Sequence, residues 1–345
     1  MTLPQKTPTT IITGFLGAGK TTLIRHLLEN AGNRRLALVI NEVGDVGVDG
    51  DILRACGVKN CPEENIIELA NGCLCCTVAD DFIPAIETLL TLKDPPDHII
   101  IETSGLALPK PLVKAFDWPS IRSNLTVDGV IAVVDAKAVV DGRFADSSET
   151  NDSRQKDISP VDHDNPLEEV FEDQLNCADL ILLNKVDLIT QQQQADLSAE
   201  ISKLSRNNAV LTQTYHGRIR PEIILGLSAA AENDLLNRPS HHDLEDQHDH
   251  DDFDSFVIEL GEVFDPSHLF EKITQAIKQH DLLRIKGFIH VAQKPMRLLV
   301  QGVGARLDSY YDRPWKLEEV RKSQLVIIGL KGLDIAAISR MILSS

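Results

Sequence analysis

The sequence predicts an α/β protein: a mainly parallel sheet flanked by helices, followed by a small C-terminal α+β domain. Three observations carry this expectation. Over the first two-thirds of the 345 residues, short apolar runs alternate with helical patterns, as in strands joined by crossover helices and buried on both faces. A glycine-rich loop joins the first apolar run directly to the first helical stretch. An acidic, histidine-rich break at 241–254 then precedes a second set of strands and helices.

Taken in order, residues 10–13 read as the first strand and 20–30 as the first helix. Residues 36–40, 97–102, 129–135 and 180–184 are apolar, β-branched-rich runs of strand length. Residues 82–93, 166–177 and 191–204 carry helical patterns between them. Residues 147–164 turn polar and acidic and read as a surface insertion. The 241–254 break holds four histidines and seven acids without a lysine or arginine. No core can be built from it, so it reads as a tether. Beyond it, 256–260, 285–291, 297–301 and 324–329 read as strands, and 266–280 and 334–343 as helices. The expected division is a first domain over 1–228, a linker over 229–254 and a second domain over 255–345.

Composition narrows the function. Thirty-four Lys and Arg against 52 Asp and Glu give a formal charge of −18. Coating nucleic acid or docking on anionic lipid needs clustered cations, so neither is an expected partner. No apolar run reaches the ~18 residues that span a bilayer. The first eight residues hold no secretory apolar stretch, so a cytoplasmic protein is expected. Oligomeric state is not readable.

Open parallel sheets bind ligands at the carboxyl ends of their strands. There, Gly14-Phe-Leu-Gly-Ala-Gly-Lys-Thr21 fits G-x-x-x-x-G-K-[ST] in full. Such a loop turns backbone N–H groups inward at a helix N-terminus, where phosphate is favoured. Gly14, Gly17, Ala18, Gly19, Lys20, Thr21 and Thr22 are therefore the expected phosphate-binding residues. Lys20 should reach the β- and γ-phosphates, and the Thr21 hydroxyl should ligate Mg²⁺. Asn184-Lys-Val-Asp187 fits N-x-x-D with Lys185 at the second place, at a later strand end. The Asp187 carboxylate can accept from guanine N1 and N2, a donor pair adenine lacks, which points to GTP. Glu102 ends the strand over 97–102 and is placed to hold Mg²⁺ directly or through water. Glu42 follows the second strand and is a candidate for Mg²⁺, transferred metal or the attacking water.

Asn71-Gly-Cys-Leu-Cys-Cys-Thr77 is the most unusual segment. Residues two apart in an extended stretch point the same way, so Cys73 and Cys75 can grip one cation, and Cys76 joins if the loop curls. Thiolates suit Zn²⁺ and Co²⁺. Buried inert cysteines and a redox dithiol are the alternatives. Cys56 and Cys61 read equally as a second thiolate pair or as loop packing, and Cys177 as core. The histidines at 241, 242, 248 and 250 read equally as a weak metal scavenger or a solubilising tether.

Together, the loop over 14–22, Glu42, Gly72-Cys-Leu-Cys-Cys76, Glu102-Thr-Ser-Gly105 and Asn184-Lys-Val-Asp187 resemble the P-loop GTPases that serve metal centres, in their CobW branch. The likeness extends over nearly the whole chain. It implies a P-loop NTPase fold and GTP hydrolysis with Mg²⁺, expected to be slow because no arginine finger or Gln is identifiable. It further implies delivery of Co²⁺ to a cobaltochelatase, or of Zn²⁺ to another client. A thiol-based zinc or redox regulator with vestigial hydrolysis is the alternative.

Overall fold

The computed structural model describes residues 6–41, 61–69, 82–142, 166–241, 253–303, 306–315 and 319–344. Glu42, Cys56, Cys73, Cys75, Cys76, the 147–164 insertion and the linker histidines from 242 onward lie outside the described residues.

The first seven strands are β1 (Thr7–Thr13), β2 (Leu36–Asn41), β3 (Ile66–Leu69), β4 (His98–Glu102), β5 (Leu125–Asp135), β6 (Leu180–Asn184) and β7 (Val210–Gln213). They form one sheet in the order β3-β2-β4-β1-β5-β6-β7, and every neighbouring pair is parallel. The period-two alternation of a strand sorts its side chains to opposite faces. Ile11, Val39, Ile99 and Ile101 enter one buried cluster, whereas Ile12, Leu38, Ile40 and Ile100 enter the other. Each face therefore needs a cover. Helix α1 (Lys20–Asn30) supplies part of one by burying Leu23, Ile24, Leu27 and Leu28, a stripe at helical spacing. Helix α2 (Ile83–Leu90) buries Ala85, Ile86 and Leu89 on the other.

Helices over Pro166–Cys177 and Gln191–Leu204 occupy the spans their sequence patterns indicate. The second begins with a full capping box between Thr190 and Gln193. Strands β3 and β7 go beyond the strands expected from sequence. Both are four-residue edge strands, and Val210 and Gln213 are exposed, so neither carries a long apolar run.

The C-terminal unit holds β8 (Phe253–Leu260), β9 (Arg284–Ile289), β10 (Met296–Val303), β11 (Arg306–Pro314) and β12 (Ser323–Leu330). They pair antiparallel in the order β11-β10-β9-β12-β8. Strand β11 likewise goes beyond the expected set, because an exposed edge strand rich in charge lacks an apolar signature. One face of this sheet packs Ile285, Ile289, Val300 and Ile327 against two helices, Pro266–His280 and Ile335–Leu343. The opposite face sends Val326 and Ile328 into a cluster with Val134, Ile181 and Leu183 of the parallel sheet. The C-terminal sheet is thus seated directly on the first domain. Among the described residues, no helix is long and apolar enough to cross a membrane.

One core group makes stability depend on pH. His98 is buried at the start of β4, with Nε2 2.8 Å from Thr10 Oγ1. Burial lowers its pKa to about 4, although the nearby Asp128 opposes the shift. An unfolded histidine titrates near ~6.5. Between these values the unfolded chain binds more protons, so stability falls as pH drops through the window. Thermal unfolding at pH 7, 6 and 5 should show a falling midpoint, and His98→Gln should flatten that dependence. Identical slopes for the two proteins would remove His98 from the account.

Candidate functional site

The carboxyl ends of β1, β4, β5 and β6 converge on the loop between β1 and α1. Gly14 has φ +136°, and a Cβ there would lie 2.2 Å from the Val133 carbonyl oxygen. Only glycine lets the loop pass this close to β5. Gly19 occupies the N-cap of α1 with φ +108° and without a side-chain cap. Glycine brings no side chain to cap the first N–H groups of the helix, which suits an anion site. Lys20 is 6% exposed, and its Nζ donates to the carbonyls of Gly14 at 2.7 Å and Phe15 at 3.4 Å. The ammonium is held at the floor of the loop before any phosphate arrives.

Thr21 Oγ1 donates to Glu102 Oε1 at 3.1 Å. Glu102 is buried at the end of β4, in register with Ile12 on β1 and Ile40 on β2. A hydroxyl and a carboxylate meeting beside a phosphate loop form the oxygen donor set that Mg²⁺ takes. The residues present fit that ion.

Asn184 and Lys185 brace the loop from its other side. Asn184 is buried; its Nδ2 donates to Ala18 O at 2.8 Å, and its Oδ1 accepts from Gly217 N at 3.2 Å. A Cβ on Gly19 would lie 2.3 Å from that same Nδ2. Lys185 has φ +61° and donates from Nζ to Gly17 O at 2.7 Å and to Asp135 Oδ2 at 2.8 Å. Asp187 lies on the short turn Val186–Leu188 and is exposed. Thr22, like Lys20 and Thr21, lines the cleft over the loop.

Asp135 is a site residue that sequence reasoning missed. It ends β5 and is 3% exposed. Its carboxylate accepts from Lys185, from Arg306 of the C-terminal sheet, and from Ala138 N at 3.0 Å. Burial pushes its pKa up, but Lys185 and Arg306 outweigh that and hold it below the ordinary carboxylate range. Its signal was present in the sequence: an acid that ends an apolar run, like Glu102. Gly217, which donates to Asn184, left no comparable signal.

The cleft over Lys20, Thr21 and Glu102 measures about 200 Å³ and is closed in part by side chains of the C-terminal sheet. A larger hollow of about 810 Å³ lies at the opposite strand ends, beside His98 and Asp128. It lacks the glycine loop and helix N-terminus that phosphate needs.

The described cysteines are core groups. Burial pushes the Cys61 thiol up to about 12, and likewise that of Cys177, so neither forms a thiolate near neutral pH. His241 is fastened to the helix over Pro166–Cys177: its N–H donates to Asp173, and its Nε2 lies 2.8 Å from Glu172. Among the described residues no three His, Cys, Asp or Glu side chains cluster as a metal site.

Comparison with known proteins adds the lineage. The family described as CobW/HypB/UreG, nucleotide-binding domain, matches residues 8–212. The Cobalamin synthesis protein cobW C-terminal domain matches residues 253–344. A Sinorhizobium sp protein named Zinc chaperone CobW is 53% identical across 96% of this chain and 95% of its own. A Pseudomonas aeruginosa protein of the same name is 49% identical across 99% and 92%. The Escherichia coli protein named Zinc chaperone YjiA is 30% identical across 93% of each.

Proposed function

Since the chain belongs to the CobW/HypB/UreG family and is a P-loop GTPase of it, we propose that it is a metallochaperone whose GTP cycle controls a divalent cation held by thiolates of Cys73, Cys75 and Cys76. The observation that carries this reading is the register of adjacent strand ends. Leu69 on β3 pairs with Asn41 on β2, and Ile40 on β2 pairs with Glu102 on β4. Glu42 follows directly on Asn41, and Cys73 comes four residues after the end of β3. Both segments therefore leave the sheet at the carboxyl ends of its strands, the end that carries the phosphate loop.

The nucleotide side of the mechanism follows from the residues. The N–H groups of the loop and of α1 receive the phosphates. Lys20 exchanges its carbonyl partners for β- and γ-phosphate oxygens, and Asn184 and Lys185 keep the loop in shape while Asp187 accepts from guanine. Thr21 and Glu102 hold Mg²⁺, which when bound neutralises charge developing on the phosphates. Contact with the γ-phosphate orders the loops carrying Glu42 and Glu102, and the thiolate site closes between them. Hydrolysis removes those contacts and the cation is released to a client protein.

The names of the relatives favour Zn²⁺ as cargo. The match to a cobalamin-synthesis C-terminal domain favours a second reading, Co²⁺ delivered to a cobaltochelatase.

The test uses reciprocity: if GTP tightens metal binding, metal tightens GTP binding by the same factor, typically about 5–150-fold. Competitive titration of Zn²⁺ and Co²⁺, with and without Mg²⁺ and a non-hydrolysable GTP analogue, should show that factor. Metal affinity should weaken below about pH 7, where thiols hold their protons. The double variant Cys73→Ala, Cys75→Ala should lose the GTP-dependent metal site and keep GTP binding. Unchanged metal affinity in that variant rejects the thiolate site. Metal binding that ignores nucleotide supports the thiol-regulator alternative instead.

A further inference from the structure

The C-terminal sheet has two faces of different chemistry, and the one turned to the first domain is itself divided. On β9, Ile285 and Ile289 belong to the cluster with the two C-terminal helices. Arg284, Lys286 and Phe288 alternate with them and occupy the other face. Across the pairing, Lys286 lies opposite Val326 on one side and Gln301 on the other, and Arg284 lies opposite Ile328. Val326 and Ile328 pack into the apolar cluster of the parallel sheet, which sets this face against the first domain. The polar half of the same face then falls over the phosphate loop. Arg284, Lys286, Gln301 and Tyr310 line one cleft of about 200 Å³ together with Lys20 and Thr21. Lys286 is 3% exposed there. At the edge, Arg306 on β11 pairs with Asp135, which in turn holds Lys185 beside the loop.

We propose that the C-terminal sheet is a second phosphate-binding surface, in which Arg284 and Lys286 contact the outermost phosphate of a nucleoside triphosphate from the side opposite Lys20 and Thr21. The inference rests on the GTPase site and is independent of the thiolates. The phosphate loop alone surrounds the inner phosphates with N–H groups, whereas the γ-phosphate of a triphosphate reaches out of the loop. Cations facing it therefore discriminate triphosphate from diphosphate. They also supply in cis the positive charge that an arginine finger provides in related enzymes. Arg306, through Asp135 and Lys185, fixes the edge of this surface to the loop that reads the base. Arg306 is thus a positioning residue and Arg284 and Lys286 are binding residues.

The test compares fluorescent GTP and GDP analogues in the presence of Mg²⁺. Arg284→Gln and Lys286→Gln should each weaken the GTP analogue about tenfold and the GDP analogue less than about threefold, the loss expected for one charge-assisted contact. Arg284→Lys should retain most of the preference. Lys322→Gln, a change at an exposed position of the same domain, should alter neither. Equal losses for both nucleotides, an unchanged ratio, or tighter GTP binding each overturn the proposal; the last would make this surface a plug. Retained GDP binding shows separately that the loop itself is intact. Should the glutamine variants not fold, hydrogen exchange of the unaltered protein decides. Residues 284–289 and 306–314 should be better protected with the GTP analogue than with the GDP analogue, and equal protection overturns the proposal.

Discussion

Asp187→Asn is expected to lower GTP affinity by about four orders of magnitude and to create affinity for xanthosine triphosphate. Guanine presents N–H donors at N1 and N2, and a carboxylate accepts both. An asparagine amide places an N–H₂ group against one of them, leaving polar groups facing donor to donor. Sites built on such pairing reject the mismatched base by about 10⁴–10⁵-fold. Xanthine carries a carbonyl in place of the 2-amino group, which the amide can satisfy. The substitution should leave folding almost untouched, because Asp187 is exposed on a short turn and such positions contribute within about 0.5 kcal/mol. Competition of GTP, ATP and xanthosine triphosphate against one fluorescent nucleotide reads the result. A variant that still prefers GTP would deny Asp187 the base-reading role.

Lys20→Gln is expected to reduce hydrolysis at saturating GTP by about 10²–10³-fold, a scale set by the loss of one pre-placed electrostatic contact to developing charge. The ammonium sits at the loop floor, 2.7 Å from the Gly14 carbonyl. It therefore lies beside the phosphate site before the substrate binds, and a short shift from its carbonyl partners to the phosphate oxygens brings it into contact. Glutamine can still donate to Gly14, so the loop should keep its shape. The circular dichroism and melting behaviour of the variant should match the parent, while single-turnover hydrolysis collapses. Near-parental hydrolysis would show that the surface formed by Arg284 and Lys286, rather than Lys20, carries the charge stabilisation.

Much of the architecture was legible because its determinants are local. The strand–loop–helix order around Gly14 to Thr21 is contained in one short stretch, and the helices over Lys20–Asn30 and Gln191–Leu204 lie where their patterns put them. Glu102 was legible too, as an acid at the end of an apolar run. Three of the four edge strands were not, β8 being the exception. Strands β3, β7 and β11 draw much of their stability from a neighbour's backbone, and hydrogen bonds to a neighbour leave no side-chain signature.

The amino-acid order alone therefore determined the class of fold, the phosphate loop and the acids that end its strands, since each follows from neighbours in the chain. Only tertiary structure decided that Asn184 and Lys185 brace the loop, that Asp135 joins Lys185 to Arg306 of the C-terminal sheet, and that Arg284 and Lys286 lie over the cleft. The reason is the docking of one sheet face. Alternation along β9 and β12 says that two faces differ, but which face meets which domain depends on burying Val326 and Ile328 against Val134 and Leu183. Once that apolar contact forms, the charged residues beside it have no other place to go.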